Sequence, residues 1–246
     1  MLNNIDSSPP NHLKKKEIKR ELKQLKEKMI AFQKKMNAQG KYSLLLVFQG
    51  MDASGKDGAT RRVLEGVNPS GIKVKSYKKP TDEEFAHDFL WRVHQHTPAK
   101  GMIQVFNRSH YEDILVPSVM GYIPKEEIEK RYELINSFEK LLEHNGTKVL
   151  KFYLHVSKEE QLVRLQERID NPEKHFKHND GDWETRENWD SYMGVYQSLF
   201  DKCNDIPWHI IPSDENWYKT NLITEKIIAA FESMDLEWPE LKTEKS

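Results

Sequence analysis

A single cysteine, Cys203, occurs in 246 residues. It excludes an internal disulfide and fits a reducing cytoplasm; a packed side chain is a simpler role for it than a nucleophile. No apolar stretch approaches the ~20 residues needed to span a bilayer. The start, Met1–Asn11, is polar and carries Pro9-Pro10, unlike a secretory signal. A net charge of −1 gives no global pull toward polyanions, so any polyanion site must come from local clustering. No RNA- or DNA-binding motif is visible, and no internal repeat. Zinc is not expected: His94 and His96 cannot share a helix face, and His175 and His178 lack a third ligand nearby. No Ser-His-Asp or Cys-His set is evident.

The composition, 37% hydrophobic and 31% charged, reads as a globular chain with a heavily charged surface. Its length allows one large α/β domain or two small ones. Residues 1–11 are expected to be disordered. From His12 to Gln39 the residues Ile18, Leu22, Leu25, Met29, Phe32 and Met36 step by fours and threes, the seam of an amphipathic helix. That stripe can pack on the body of the protein or pair with another subunit. Lys14-Lys15-Lys16 reads as a solvated face, and Gly40 as the helix stop.

The stretch that organises the chain follows. Ser43–Gln49 is apolar enough for a central strand. It runs into Gly50-Met51-Asp52-Ala53-Ser54-Gly55-Lys56-Asp57-Gly58, which holds the phosphate-cradling pattern Gly-x-x-x-x-Gly-Lys between a strand and a helix, the context that pattern requires. Gly50 and Gly55 allow the backbone to turn through positive φ and leave room for a phosphate against bare N–H groups. The helix beyond points its positive end at the same spot, and Lys56 adds a mobile charge. The Ser or Thr that ordinarily follows the Lys, and holds Mg²⁺, is Asp57 here.

Strands are expected at Ile72–Tyr77, Met102–Phe106, Val149–Val156 and Trp208–Ile211. Between them lie helices at Ala59–Gly66, from Thr81 to about His96 with Glu84 in a capping box, at Lys125–His144, Lys158–Arg168, Arg186–Cys203 and Trp217–Ser233. Strands alternating with helices give a parallel sheet of about five strands with right-handed crossovers. Asp170–Thr185 is polar and too long for a simple connection; such segments are often lids. Ligands in open α/β sheets sit at the carboxyl ends of the strands. That rule brings the phosphate loop, Lys78-Lys79, Asn107–Asp113 and the 170–186 segment to one crevice.

The chain resembles the polyphosphate kinase 2 family. The likeness is carried by the 50–58 motif, by Lys78-Lys79-Pro80-Thr81-Asp82-Glu83-Glu84, Phe89-Leu90-Trp91-Arg92, Phe106-Asn107-Arg108-Ser109-His110-Tyr111-Glu112-Asp113, Arg168-Ile169-Asp170-Asn171-Pro172-Glu173-Lys174 and Trp189-Asp190-Ser191-Tyr192-Met193. The resemblance implies a P-loop-kinase-like three-layer sandwich with a lid at about 170–186, in a catalytic domain of residues 40–235 followed by a polar tail, 236–246. It implies phosphoryl transfer between inorganic polyphosphate and a nucleotide with Mg²⁺, acceptance of both AMP and ADP, and assembly into dimers or tetramers. Asn107 departs from the Asp found there in much of the family. An amide can bind metal through oxygen but carries no charge, so orientation or nucleotide choice is the alternative role for it.

Lys56 is expected to contact the transferring group. Asp52 and Asp57 are the candidate Mg²⁺ ligands, the first supported by the resemblance; capping of the following helix is the structural alternative for either. Gly50, Ala53, Ser54, Gly55, Asp57, Gly58 and Asn107 form the phosphate and nucleotide cradle. Lys79, Arg92, Arg108, Arg168, Lys174, Lys177 and Arg186 are candidates for a basic track along polyphosphate, with Arg108 the strongest because it directly follows a central strand. Asp52, Lys56 and Arg108 are the candidate catalytic set. His110 is expected to pack or hydrogen-bond. Trp183 and Trp189 are candidates to cover a base, with packing favoured for Trp189. The rival readings are an ATP-dependent nucleoside or nucleotide kinase and a non-catalytic polyanion binder.

Overall fold

The computed structural model describes residue 2 and residues 5–241; Met1, Asn3, Asn4 and the end of the tail from 242 lie outside the described residues. The strands are β1 (Ser43–Gln49), β2 (Ile72–Ser76), β3 (Ile103–Asn107), β4 (Thr147–His155) and β5 (Trp208–Pro212). They pair in the order β2-β3-β1-β4-β5, every pair parallel. Side chains alternate across the sheet. On one face Leu45, Val47, Phe106, Val149 and Tyr153 pack beneath α5 (Glu112–Met120), α6 (Lys125–His144) and α9 (Trp189–Lys202). On the other, Leu44, Leu46, Phe48, Ile103, Val105, Leu150, Phe152 and Leu154 pack against α1 (Lys15–Gln39), α2 (Lys56–Val63) and α10 (Asn216–Glu232). Apolar residues on both faces of every central strand explain why the strands read as near-continuous hydrophobic runs. The result is a three-layer sandwich.

The winding direction reverses between β1 and β3. The helix after β1, α2, joins one face through Ala59 and Val63, whereas the helix after β3, α5, joins the other through Ile114 and Leu115. Two neighbouring strands whose helices part to opposite faces leave a crevice at their carboxyl ends. Both the phosphate loop and Asn107–Glu112 open onto it.

Several local readings change. The expected helix over 81–96 is two short helices, α3 (Asp82–Phe85) and α4 (Trp91–His94). The capping box at Thr81 and Glu84 is present, but Asp88 Oδ1 accepts the Leu90 N–H at 2.9 Å, a local turn that competes with helix continuation. A helix unexpected from the sequence, α5, contains Pro117. The polar stretch after α7 (Lys158–Asp170) is a 3₁₀ segment, Pro172–Lys177, then α8 (Gly181–Glu187). The α1 seam is spent within the chain, with Phe32 stacked on Phe231 of α10 at 5.6 Å and Met29 and Met36 fully buried. Gly40 closes α1 at φ 64°. Where disorder was expected before residue 12, Ser7 Oγ donates to Asp214 Oδ2 at 2.6 Å and the Ile5 carbonyl lies 3.0 Å from His155 Nε2.

Candidate active site

The loop from β1 to α2 is closed by its own backbone. Gly50 (φ 148°) and Gly55 (φ 93°) hold positive φ. A Cβ on Gly50 would sit 2.8 Å from the Leu154 carbonyl, and one on Gly55 would run into the Lys219 ammonium. Two non-glycine residues, Ala53 (φ 60°) and Arg108 (φ 58°), are also left-handed; such backbone costs on the order of 1 kcal/mol each and persists where surroundings over-determine it. Both belong to this crevice.

Lys56 opens α2, and its Nζ donates to the carbonyls of Gly50 at 2.8 Å and Met51 at 3.1 Å. Burial, reinforced by the Arg108 guanidinium, pushes its pKa down to about 8. Arg108 ion-pairs with Asp52 and reaches Glu112 Oε2 at 3.3 Å. The Glu112 and Asp52 carboxylates together outweigh burial and hold Arg108 firmly protonated. Glu112 is steadied by Gln49, whose Nε2 donates to Glu112 Oε1 at 3.1 Å, while Ser109 Oγ donates to Gln49 Oε1 at 3.3 Å. Asn107 Nδ2 donates to the Asp57 carboxylate. The site therefore joins the ends of β1 and β3 through side chains of alternating charge.

Behind it, His110 does hydrogen-bond: its Nε2 lies 3.2 Å from Glu139 Oε1. Glu139 also accepts from the Tyr111 hydroxyl at 2.7 Å and from Lys151 Nζ at 2.7 Å. All four side chains are essentially inaccessible, and the cluster anchors the start of α5. Cys203 is fully buried there, and burial pushes its thiol up to about 12, so it is a packed residue.

The remaining basic residues differ in how far they are held by partners. Arg92 is only 4% exposed. Its guanidinium donates to Asp113 Oδ2 at 2.9 Å and to the Lys78 carbonyl at 3.0 Å, and it lies over the Tyr77 ring. It shapes the 78–113 wall from inside. Arg168 ion-pairs with Asp182 and donates to the Lys177 carbonyl at 3.1 Å. The Asp182 carboxyl is pushed up by burial and by the Asp52 carboxylate, which marks the 168–182 segment as lying within electrostatic reach of the loop. Arg186 donates to the Lys158 carbonyl at 2.6 Å and to Gln161 Oε1 at 2.9 Å. Lys174 pairs with Glu167, and Lys79 and Lys177 are exposed without an ion partner among the described residues. Trp189 is buried, and Trp183 half-buried.

Sequence reasoning missed Gln161, Arg164 and Lys219, and it placed Glu112 in the crevice with the 107–113 stretch without giving it a role. Lys219 was discoverable: it stands four residues before Ile223 and eight before Ile227 on the core-facing stripe of α10, where a lysine is out of place.

A divalent cation can be tested against the donor set. Among the described residues no group of three or more His, Cys, Asp or Glu side chains is gathered. Two carboxylates, Asp52 held by Arg108 and Asp57 held by Asn107, stand in and just after the loop, and one or two carboxylates completed by substrate phosphates and water is a set that suits Mg²⁺. The residues present fit that ion.

The polyphosphate kinase 2 family model matches residues 12–239. The chain belongs to the polyphosphate kinase 2 family. It is 44% identical over 221 residues to a Meiothermus ruber protein named AMP/ADP-polyphosphate phosphotransferase, covering 89% of this chain and 83% of that one. It is 39% identical over 228 residues to a Rhodopseudomonas palustris ADP-polyphosphate phosphotransferase, covering 87% and 79%. The crystal structure of polyphosphate kinase 2 from Arthrobacter aurescens superposes with a TM-score of 0.94 at 37% identity, covering 99% of this chain and 89% of that one. The P-loop-kinase-like sandwich read from the chain is the family's fold.

Proposed function

We propose that this family member transfers a phosphoryl group between inorganic polyphosphate and AMP or ADP, forming ADP or ATP. The observation that supports it most is the meeting of two elements, a phosphate loop carrying Lys56 and the Arg108 guanidinium delivered from the end of β3, held against Asp52 and Glu112. Phosphoryl transfer requires positioning and charge neutralisation more than covalent chemistry. The loop N–H groups and the N-terminus of α2 bind donor phosphate oxygens. Lys56, with two of its three N–H groups on the Gly50 and Met51 carbonyls, offers the third to the bridging oxygens, and Arg108 neutralises charge on the group in transit. The acceptor is a phosphate oxygen, already ionised at neutral pH, so no general base is needed. Asp52 and Asp57 would hold Mg²⁺, which when bound supplies further charge neutralisation on the phosphates. Asn107 orients Asp57. Lys79, Arg168, Lys174, Lys177 and Arg186 line the basic track, and Arg92 supports it from beneath. The segment 170–186 acts as the lid.

No helix among the described residues is long and apolar enough to cross a membrane, and one buried thiol fits a cytoplasmic setting. A homo-oligomer would use a face other than the α1 seam, which α10 covers. The test is ADP and ATP formation from AMP, and separately from ADP, with long-chain polyphosphate, Mg²⁺ and no ATP. Product from both acceptors is expected. Product from ADP alone removes the AMP assignment; transfer only when ATP is the donor overturns the polyphosphate reading.

A further inference from the structure

Five successive carbonyls of the phosphate loop are each held by a side chain. Lys56 takes those of Gly50 and Met51. Gln161 Nε2 donates to Asp52 O at 3.0 Å, Arg164 Nη1 to Ala53 O at 3.1 Å, and Lys219 Nζ to Ser54 O at 2.9 Å. The last three donors come from α7 and α10, outside every motif that carries the family likeness. In a trans peptide the N–H points opposite to the C=O. Pulling the carbonyls of Asp52 and Ser54 outward therefore turns the N–H groups of Ala53 and Gly55 the other way, and these donate to no acceptor among the described residues. The left-handed Ala53 sits in the middle of this clasp.

We propose that Gln161, Arg164 and Lys219 are positioning residues that hold the phosphate loop in its donor-binding shape before any phosphate arrives, and that they tie this shape to the lid. The proposal rests on the phosphate-binding reading of the loop. Arg164 is itself fixed, its Nη2 donating to the carbonyls of Ser213 at 2.8 Å and Asp214 at 2.7 Å, and its Nε to Glu160 Oε1 at 2.8 Å. Lys219 is fully buried. Burial, with Arg164 and Arg62 nearby, pushes its pKa down to about 7. An amine donates to a carbonyl whether or not it is protonated, so its hold on Ser54 survives across neutral pH. The tie to the lid runs through Gln161. Its Oε1 accepts from Arg186 of α8 at 2.9 Å while its Nε2 donates to the loop. Any movement of α8 that breaks the Arg186 contact frees the amide that orients Asp52.

Gln161→Glu isolates the effect. The carboxylate still accepts from Arg186, but it has no proton for the Asp52 carbonyl. Lys219→Met is the second variant, and each is checked by its melting temperature. Binding of tripolyphosphate and of AMP is measured separately by calorimetry, so the readout does not depend on turnover. Loss of one loop-orienting hydrogen bond is expected to weaken tripolyphosphate about tenfold in either variant and AMP by less than about twofold. Unchanged tripolyphosphate affinity in folded Gln161→Glu and Lys219→Met, or equal weakening of both ligands, overturns the clasp. So does a wild-type chain that fails to bind tripolyphosphate. If wild type binds tripolyphosphate with the expected variant pattern but transfers nothing from polyphosphate, the clasp stands and the proposed reaction falls.

Discussion

The phosphate loop and the segment proposed as the lid are built in opposite ways. In the loop every carbonyl from Gly50 to Ser54 is fixed by a side chain, the glycines tolerate no Cβ, and Lys56 is buried. Between Asp170 and Asn188 the chain is mostly exposed. Several of its bonds are local, as where Asn171 caps its own 3₁₀ turn and Asn179 Oδ1 accepts from Gly181 N at 3.1 Å, while Arg168 to Asp182 and Arg186 to the Lys158 carbonyl and Gln161 join it to α7. A phosphate cradle works by being in place beforehand, because donors already aimed at developing charge need no rearrangement. A lid must open at little cost, and low-stability segments with few buried contacts serve that purpose.

The comparison is broken most severely at Lys56. Lys56→Ala is expected to lower kcat with polyphosphate by about 10³-fold or more, since a single charged stabiliser of the transferring group is worth this much. A purely binding role would show instead as weaker affinity without that loss. Next come the glycines. Gly50→Ala places a Cβ 2.8 Å from the Leu154 carbonyl at φ 148°, so backbone must shift; a loss of about 1–3 kcal/mol in chemical unfolding is expected. In the lid, a Cβ on Gly181 meets only ordinary contacts, the nearest at 3.5 Å. Gly181→Ala is expected to stabilise by up to about 1 kcal/mol. Equal effects at the two glycines would erase the distinction.

The rigid region was also the legible one. Two glycines and a lysine at fixed spacing after an apolar strand are local requirements, so the 50–58 loop and Arg108 could be read directly. Position in the sequence gave no access to what holds the loop from behind: Gln161, Arg164 and Lys219 lie more than a hundred residues away, the first two look like ordinary helical polar residues until the helices are packed, and Lys219 stands out as a lysine on an apolar stripe without showing what it holds. Arg92 shows the converse. Its motif suggested a phosphate contact, but its guanidinium is turned inward to Asp113 and the Lys78 carbonyl. The single helix expected over 81–96 was lost to the turn at Asp88, and α5 was hidden by Pro117, since proline ordinarily argues against a helix interior.

A smaller effect separates the two regions by pH. The Lys56 pKa is pushed down to about 8 by burial and Arg108, and anion binding needs the ammonium form. In the free enzyme, kcat/KM for polyphosphate is therefore expected to be full below about 8 and to fall as pH rises through that value, approaching about tenfold per unit beyond it. Bound phosphate favours the charged lysine, so the fall in kcat should come at higher pH than the fall in kcat/KM. A profile flat from 7 to 10 would mean that Lys56 does not meet the donor as a cation.

The smallest expected effect on stability falls at Arg168, where the lid's construction is most exposed to test. Its guanidinium joins the end of α7 to the Asp182 carboxylate of α8 and to the last carbonyl of the 3₁₀ turn. Removing one partner of a partly exposed pair changes global stability by no more than about 1 kcal/mol, so Arg168→Ala should leave the melting temperature nearly unchanged. Amide hydrogen exchange over 171–187 should nevertheless quicken, because this pair is one of the few bonds in the segment that joins separate elements, and exchange at 50–56 should quicken to a smaller degree through Arg186 and Gln161. If exchange in the loop keeps the wild-type rate while 171–187 quickens, the loop holds its shape without the lid, and the tie through Arg186 and Gln161 falls.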